Sequence, residues 1–513
     1  MNIALAQINT TVGDLGGNVA RCLEAIETAR ARGADLVALP EMAVPGYPPR
    51  DILFDSSFRA ATFEATRDLA ARAADGPPAI VGTIFPSGRP MPHHPGLYNA
   101  AVLLRGGEAQ LVAAKRLLPA YDVFHEPRWF APGEASQPIT IAGQRVGVLV
   151  CEDLWDAGHA HHPPADLLAA GAEVLITISA SPYRRGMMAK RLAHARRPRC
   201  PLIYVNLCGA TDELIFDGRS FALDAEGKLL AQLPGFEEAI KIVDLEAARE
   251  QPAASIQHPE EATIFQALTL GVRDFCHKNG MQRAFLGLSG GIDSAVGAAI
   301  AAEALGPANV TAVAIPSRYT DPRSTSSAEA LARALGIGFE VIPLEPLHAA
   351  AETALADVLN GGVGAENIQA RLRALILMAL VNARGGILLN TSNKTELALG
   401  YGTLYGDLAG TLCPIGDLTK PQIYELAQWI QAERGAPIPA FILERAPSAE
   451  LKPDQVDPFD YPKIAPLLER LIAENRSNAA LRRSEHKRWH QGVILKVSEK
   501  ALGTGRMIPI TRK

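Results

Sequence analysis

A cysteine, a glutamate and a lysine, each closing an apolar run, equip the first half of the chain for acyl transfer. Cys151 follows Val148-Leu149-Val150, Glu41 follows Leu39-Pro40, and Lys115 follows Ala113-Ala114. A free thiol, with a pKa of about 8.5, is mostly protonated at neutral pH. A neighbouring carboxylate can take its proton, and an ammonium can stabilise both the thiolate and the oxyanion of a tetrahedral intermediate. Singly, each residue has a plainer reading. A cysteine after a strand is usually a small buried hydrophobe, and a lone charge at a strand end is usually solvated.

A different chemistry is written in the second half. Leu288-Ser289-Gly290-Gly291-Ile292-Asp293-Ser294 lies between a predicted strand at 284–288 and an alanine-rich predicted helix at 294–305. Two glycines let backbone amides close on an anion, and the helix N-terminus adds its dipole. Asp293 then puts a carboxylate beside that anion, which makes sense only if a metal bridges the two. Ser294 is the expected N-cap. No Lys-Ser/Thr pair follows the glycines, so this is not a Walker loop. A capped glycine turn is the plainer alternative.

The elements that must position these residues can be read from periodicity. Apolar runs at 3–8, 35–39, 79–85, 100–104, 145–150, 174–178 and 202–206 alternate with helical stretches and glycine or proline punctuation. That rhythm predicts buried sheet covered by helices. A polar, proline-bearing stretch at 246–262 reads as a linker. From 263 the order is helix, strand, glycine turn, helix, strand, which opens a doubly wound parallel sheet. The expected division is therefore 1–245, a linker at 246–262, and 263–513. At 513 residues the chain is too long for one ordinary core.

Bulk properties exclude several classes. The net charge of −5 gives no general attraction to nucleic acid or anionic membrane. Six cysteines at 22, 151, 200, 208, 276 and 413 contain no CxxC pair. The longest apolar run, 374–381, is far short of a bilayer span. The N-terminus has no basic region or cleavage site, so a cytoplasmic location is expected. His159, His161 and His162 form a short cluster without acidic or cysteine partners at ligand spacing; a loop on the rim of the site is the expected reading rather than a metal site.

Leu-Pro-Glu at 39–41, Lys-Arg-Leu-Leu-Pro at 115–119 and Cys-Glu-Asp-Leu-Trp at 151–155 together resemble the nitrilase, or carbon–nitrogen hydrolase, superfamily over about residues 1–245. The resemblance implies an αββα sandwich with Glu41 as general base, Lys115 as oxyanion stabiliser and Cys151 as nucleophile. Glu126, in Phe124-His125-Glu126, matches a further structural or catalytic glutamate. The glutaminase branch of that superfamily implies glutamine contacts from Tyr47, Tyr121, Glu152, Ser179, Ser181 and Arg185. Glu152 and Arg185 supply the charges that a zwitterion needs, and the choice between Arg184 and Arg185 stays open.

Ser289–Ser294 resembles the pyrophosphate loop of N-type ATP pyrophosphatases, which adenylate their substrates. Downstream stand Glu366-Asn367-Ile368-Gln369-Ala370-Arg371, Thr391-Ser392-Asn393-Lys394-Thr395-Glu396, Gly406-Asp407, Asp417-Leu418-Thr419-Lys420 and His486-Lys487. In this order they resemble NAD synthetases. The resemblance implies that Ser289, Gly290, Gly291, Ile292, Asp293, Ser294, Arg318 and Thr391 bind ATP, and that Asp293 and Glu396 hold Mg2+. It further implies that Asn367, Arg371, Glu396, Asp407, Lys420, His486 and Lys487 face deamido-NAD. The segment 447–461, rich in proline and acid, reads as a mobile lid.

Together the halves imply an enzyme that releases ammonia from glutamine and spends it on an adenylated carboxylate, with ATP as substrate and a homo-oligomeric assembly. Two alternatives remain at this stage. Another glutamine-dependent adenylating amidotransferase is disfavoured by Asp407, Lys420 and His486-Lys487. A nucleotide-binding regulator with degenerate sites is disfavoured by the complete Glu41/Lys115/Cys151 set and the Asp293/Glu396 pair.

Overall fold

A computed structural model describes residues 1–89, 94–247, 258–359, 361–435, 437–476 and 478–503. The chain divides into two compact units with the main boundary between residues 257 and 258, and Asp212–Leu214 groups with the second unit. Of the expected linker, residues 248–257 lie outside the described residues.

The first unit runs β1 (Asn2–Gln7), α1 (Leu15–Ala31), β2 (Leu36–Ala38), α2 (Ser56–Arg72), β3 (Ala79–Pro86), β4 (Leu97–Arg105) and β5 (Glu108–Ala114). Next come β6 (Ile139–Ile141), β7 (Gln144–Val150), α3 (Pro163–Ala169), β8 (Val174–Ser179), α4 (Met187–Ala195) and β9 (Leu202–Asn206). The short strands β10 (Cys208–Thr211), β11 (Leu214–Asp217), β12 (Phe221–Leu223), β13 (Leu229–Gln232) and β14 (Ala239–Asp244) complete it.

Two six-stranded sheets result, in the orders β14-β1-β2-β3-β4-β5 and β13-β12-β9-β8-β7-β6. In each, three central strands are parallel and the flanking ones antiparallel. Side-chain alternation explains the layering. Ile3, Leu5, Leu36 and Ile80 pack against Val148, Val150, Ile176 and Ile203 of the other sheet. Ala4, Ala6 and Val37 point the opposite way, onto Val19, Cys22 and Ile26 of α1. Leu149, Leu175 and Leu202 likewise meet Leu167 of α3 and Ala195 of α4. Helices thus cover both outer faces, giving an αββα sandwich. A one-residue slip of β7 would exchange Val150 for Leu149 and turn every side chain to the wrong layer, so the strand ends that carry chemistry are fixed by core burial.

The second unit begins with α5 (Glu260–Lys278), β15 (Ala284–Gly287), α6 (Ile292–Leu305), β16 (Val310–Ala314), α7 (Pro322–Leu335), β17 (Gly338–Val341), α8 (Glu345–Ala354) and α9 (Gly362–Arg384). It continues with β18 (Ile387–Leu388), α10 (Lys394–Leu399), β19 (Leu412–Cys413), α11 (Lys420–Glu433), α12 (Ala440–Glu444), α13 (Tyr461–Ala473), α14 (Ala479–Ser484) and β20 (Val493–Ile494). The main sheet is parallel throughout, in the order β17-β16-β15-β18. The chain winds one way from β15 to β17 and returns to the other side of β15 as β18. Ligands of such sheets bind in the crevice at that switch point, beyond the carboxyl ends of the strands. α6 is buried on all sides because its alanines let neighbouring elements close around it.

Several boundaries differ from expectation. α5 starts at Glu260, inside the expected linker, with Pro259 at its N-cap position. α9 starts at Gly362, about one turn before the Glu366 motif. Ser294 is not an N-cap: Gly291 holds that position and no side chain caps the turn. Instead the Ser294 hydroxyl donates to Gly291 O at 3.0 Å and accepts from Ser289 N at 3.3 Å, so the serine ties the loop from below. A first turn without a capping side chain suits an external anion. Residues 447–460 contain no regular element, as expected, yet they are fastened to the unit. Gln369 Nε2 donates to Leu451 O at 2.8 Å, and Tyr401 and Tyr461 both donate to the Asp457 carboxylate.

Candidate active sites

In the first unit, three strand ends deliver the charged groups. Glu41 lies beyond β2, Lys115 directly follows β5, and Cys151 directly follows β7. The Lys115 ammonium is 3.0 Å from Glu41 Oε1 and 2.8 Å from Glu126 Oε1. Its side chain is 1% exposed, so it stays charged only through such partners. Burial opposes that charge, but Glu126 and Glu41 outweigh it and hold the Lys115 pKa well above its ordinary value. Glu41 also accepts from Asn99 Nδ2 at 2.6 Å and, through Oε2, from Ala180 N at 2.7 Å. Glu126 accepts from the Tyr47 hydroxyl at 3.0 Å. Burial pushes the Glu126 carboxyl up to about 7.

Cys151 has a left-handed backbone, φ +47°. A non-glycine residue adopts it only where the surroundings enforce it. Burial and the Glu41 charge push its thiol well up, against the pull of Lys115. The resting sulfur is therefore a thiol, and attack on a carbonyl requires a base. Glu41 supplies one, and Lys115 supplies the compensating charge.

The expected glutamine contacts surround this centre unevenly. Tyr121 donates its hydroxyl to both oxygens of Glu152, at 3.1 and 3.0 Å, and burial raises the Glu152 carboxyl. Ser179 ends β8. Ser181 is held by Arg191, whose Nε donates to its Oγ at 3.2 Å. Arg191 is itself fully buried against Asp217 at 2.7 Å. Arg184 and Arg185 are both half-buried in the same loop. In the histidine cluster, His162 bonds Asp156 at 3.0 Å.

In the second unit, the loop after β15 faces the ends of β18 and α10. Gly290 has φ +76°, and a Cβ there would meet Ser324 O at 2.4 Å, so only glycine fits. Asp293 and Glu396 stand across from one another. Lys420 Nζ reaches Asp293 Oδ2 at 2.5 Å and Glu396 Oε1 at 3.3 Å. Burial and Asp293 push the Glu396 carboxyl up to about 8. Asn393 caps α10 and donates its amide to Asp293 Oδ1 at 2.9 Å.

Two cavities open here. One, of about 190 Å³, is lined by Ser289, Gly291, Asp293, Thr391, Glu396 and Lys420, with Arg445 and Asp457 on its far wall. The other, of about 270 Å³, is lined by Val313, Ile315, Leu377 and Leu388, with Arg373 and Thr403 as polar neighbours. Ser289, Thr391 and Asp407 border both. One cavity is polar beside an anion loop and the other apolar, the pairing that a nucleotide's phosphates and base require.

Asn367 and Arg371 do not line the cavities; they brace the loop that does. Asn367 Oδ1 accepts from Thr403 at 2.7 Å, and Arg371 Nε donates to Leu404 O at 3.2 Å. Arg318, His486 and Lys487 are not brought to either cavity. The Arg318 guanidinium is taken by Glu345 and Glu352. Lys487 donates to Gly400 O and Gly402 O at 2.7 and 2.6 Å, satisfying carbonyls at the end of α10. His486 is exposed.

Sequence reasoning passed over Asn99, Asp153, Asn393, Arg445 and Asp457. Asn393 carried a signal, because Asn-x-x-Glu is the side-chain pattern of a reciprocal helix cap. Asp153 stood inside the quoted Cys-Glu-Asp triplet. Asn99 and Arg445 have no local pattern.

The family model for carbon–nitrogen hydrolase matches residues 2–255, and that for NAD synthase matches residues 264–501. A glutamine-dependent NAD(+) synthetase of Rhodobacter capsulatus is 42% identical over 93% of this chain and 88% of its own length. One of a Synechocystis species is 39% identical over 99% and 98%. A solved glutamine-dependent NAD+ synthetase of Acinetobacter baumannii, in complex with adenosine diphosphate, superposes with a TM-score of 0.81 at 28% identity, covering 99% of this chain and 98% of that one. Both halves and their order are shared with these proteins, and the chain belongs to the glutamine-dependent NAD(+) synthetase family.

Proposed function

We propose that this chain converts deamido-NAD to NAD, using ATP and the ammonia it frees from glutamine. The observation that carries this reading is that one chain holds two complete sets of groups. Lys115 lies between Glu41 and Glu126 beside Cys151, and Asp293 and Glu396 converge on Lys420 beside an anion loop.

In the first unit, Glu41 takes the thiol proton as Cys151 Sγ attacks the glutamine side-chain amide carbon. Lys115 neutralises the oxyanion. The C–N bond breaks, the proton returns to the leaving nitrogen, and ammonia departs from a thioester. Water then attacks the thioester, with Glu41 again the base, releasing glutamate. Glu126, itself held by the Tyr47 hydroxyl, holds Lys115 in place. Tyr121, Glu152, Ser179, Ser181 and Arg185 are assigned to glutamine, with Glu152 set against its ammonium and an arginine of the 184–185 pair against its carboxylate.

In the second unit, the deamido-NAD carboxylate attacks the α-phosphorus of ATP and pyrophosphate leaves. Ammonia then attacks the adenylated carbonyl and AMP leaves. Ser289, Gly290, Gly291, Ile292 and Ser294 frame the phosphates, with Thr391 at the junction of both cavities. The hard oxygen donors of Asp293 and Glu396, already drawn to a cation in Lys420, fit Mg2+. Bound there, Mg2+ would offset phosphate charge. Asp407, braced by Asn367 and Arg371, borders the acceptor side.

No described helix is long and apolar enough to cross a membrane. A homo-oligomeric assembly is part of this proposal and is testable by light scattering. Incubation with ATP, Mg2+, deamido-NAD and glutamine should yield NAD, AMP, pyrophosphate and glutamate in equal amounts. Binding of the ligands without NAD formation would overturn the reading, and turnover of a different acceptor acid would redirect it.

A further inference from the structure

We propose that Asp153 is a positioning residue of the first site, locking the nucleophile's turn and the lysine's loop to one another. The inference rests on the reading of Cys151 as nucleophile and Lys115 as oxyanion partner.

Asp153 Oδ1 accepts from Arg116 N and Leu117 N, both at 2.9 Å. Its Oδ2 accepts from Val150 N at 3.3 Å. Arg116 follows Lys115, and Val150 precedes Cys151. One carboxylate therefore joins the two chain segments that must be in register for thiolate and ammonium to meet the same carbonyl. The side chain is buried. Three backbone amides and the nearby Lys115 charge favour its ionised form, while burial pushes its carboxyl up to about 6; at neutral pH it stays an acceptor.

The need for such a lock follows from local geometry. Cys151 sits at φ +47°, a conformation that relaxes unless something holds the turn. The other backbone ties of Lys115 run elsewhere: Lys115 N donates to Asn99 O at 2.8 Å, and Gly133 N donates to Lys115 O at 2.9 Å. These fix the lysine to β4 and its own loop, not to the cysteine turn. The Asp153 carboxylate is engaged by the backbone N–H groups of Arg116, Leu117 and Val150, so it acts on Lys115 and Cys151 through the backbone.

The test compares Asp153→Ala and Asp153→Asn in the full chain. Glutamine-supported and ammonium-supported NAD synthesis are measured on the same preparations. In Asp153→Ala, kcat with glutamine should fall about a hundredfold, the scale expected for a misplacement of about 1 Å, with KM changed by less than about threefold. The ammonium-supported rate should stay within about twofold of wild type. In Asp153→Asn the amide oxygen can still accept from Arg116 and Leu117 N–H, while its NH2 group faces the N–H of Val150. A partial loss of about tenfold is expected there.

A glutamine kcat in Asp153→Ala within about twofold of wild type overturns the proposal. If Asp153→Ala fails to fold, Asp153→Asn decides. Full glutamine turnover in it, or equal loss with both nitrogen sources, overturns the positioning role. Cys151→Ala is run in parallel. Retained glutamine turnover in that variant defeats the nucleophile reading itself, whereas a dead Cys151→Ala beside a fully active Asp153→Ala defeats only the present inference.

Discussion

Lys420 extends its ammonium to within 2.5 Å of the Asp293 carboxylate. The lysine opens α11 and the aspartate lies in the first turn of α6, so the contact joins two helix N-termini across the crevice. Glu396, at 3.3 Å from the same nitrogen, completes a pair of carboxylates whose mutual repulsion a cation relieves. Asp293→Ala or Glu396→Ala should therefore depress NAD formation by at least about a hundredfold with glutamine and with ammonium alike, the order seen when one electrostatic contact to a charged transition state is lost. Chelation of Mg2+ should do the same to the unaltered chain. NAD synthesis by either variant at a near-normal rate under saturating Mg2+ would remove these residues from the metal site.

How much of this was legible in the sequence differs from residue to residue. Glu41, Lys115 and Cys151 could be found because each sits where an apolar run stops, and the ends of buried strands converge on one crevice. Asp293 stood out because it follows two glycines at a helix start, whereas Glu396 was named only through the resemblance to NAD synthetases. Arg318 and Lys487, expected at ATP and deamido-NAD, are instead engaged away from both cavities, because their partners, Glu345 and Glu352 for one and the end of α10 for the other, are set by tertiary packing. The buried Arg191–Asp217 pair spans 26 residues, beyond any local pattern. Ser294 misled because its position before an alanine-rich run imitates a cap, whereas the helix already begins at Ile292.

That buried pair makes a stability prediction. Arg191 and Asp217 are 0% and 1% exposed. Asp217→Ala leaves a guanidinium without its counter-charge, at a cost of roughly 3–5 kcal/mol. The thermal midpoint of the first unit should fall markedly in calorimetry. Because Arg191 also holds Ser181, KM for glutamine should rise in whatever fraction stays folded. An unchanged melting profile would show that the pair contributes nothing net.

Glu126 gives a pH dependence whose sign can be worked out. Burial raises its folded carboxyl to about 7 from an ordinary value of 4.5, so the folded state binds the proton more tightly than the unfolded state. The resulting stabilisation is fully present below pH 4.5 and is lost as pH rises through about 7. Glu126→Gln keeps an acceptor oxygen for Lys115 and Tyr47 but cannot ionise. Relative to wild type it should therefore gain stability between pH 5 and pH 8, by about 2–3 kcal/mol. Urea melts of both proteins at the two pH values measure the difference. A constant offset between them would mean that Glu126 is ionised throughout.

Cys151→Ala should abolish glutamine-dependent NAD synthesis and spare synthesis from ammonium. Alanine removes the sulfur that forms the thioester, so no acyl-enzyme can arise. It keeps a Cβ at the left-handed position, so the turn is no more strained than before, and the loss of one buried atom should cost only about 1 kcal/mol. The second unit has its own phosphate loop, carboxylates and acceptor side, and needs only a nitrogen source. Raising the pH should favour the variant with ammonium, because more of the nitrogen is then unprotonated and nucleophilic. Glu41→Ala and Lys115→Ala should show the same split, since one removes the base and the other the oxyanion's counter-charge. The comparison is a single NAD assay run once with glutamine and once with ammonium. Glutamine-dependent turnover in the cysteine variant would refute the acyl-enzyme route. Loss of the ammonium-dependent rate in a folded variant would instead refute the division of labour between the two units.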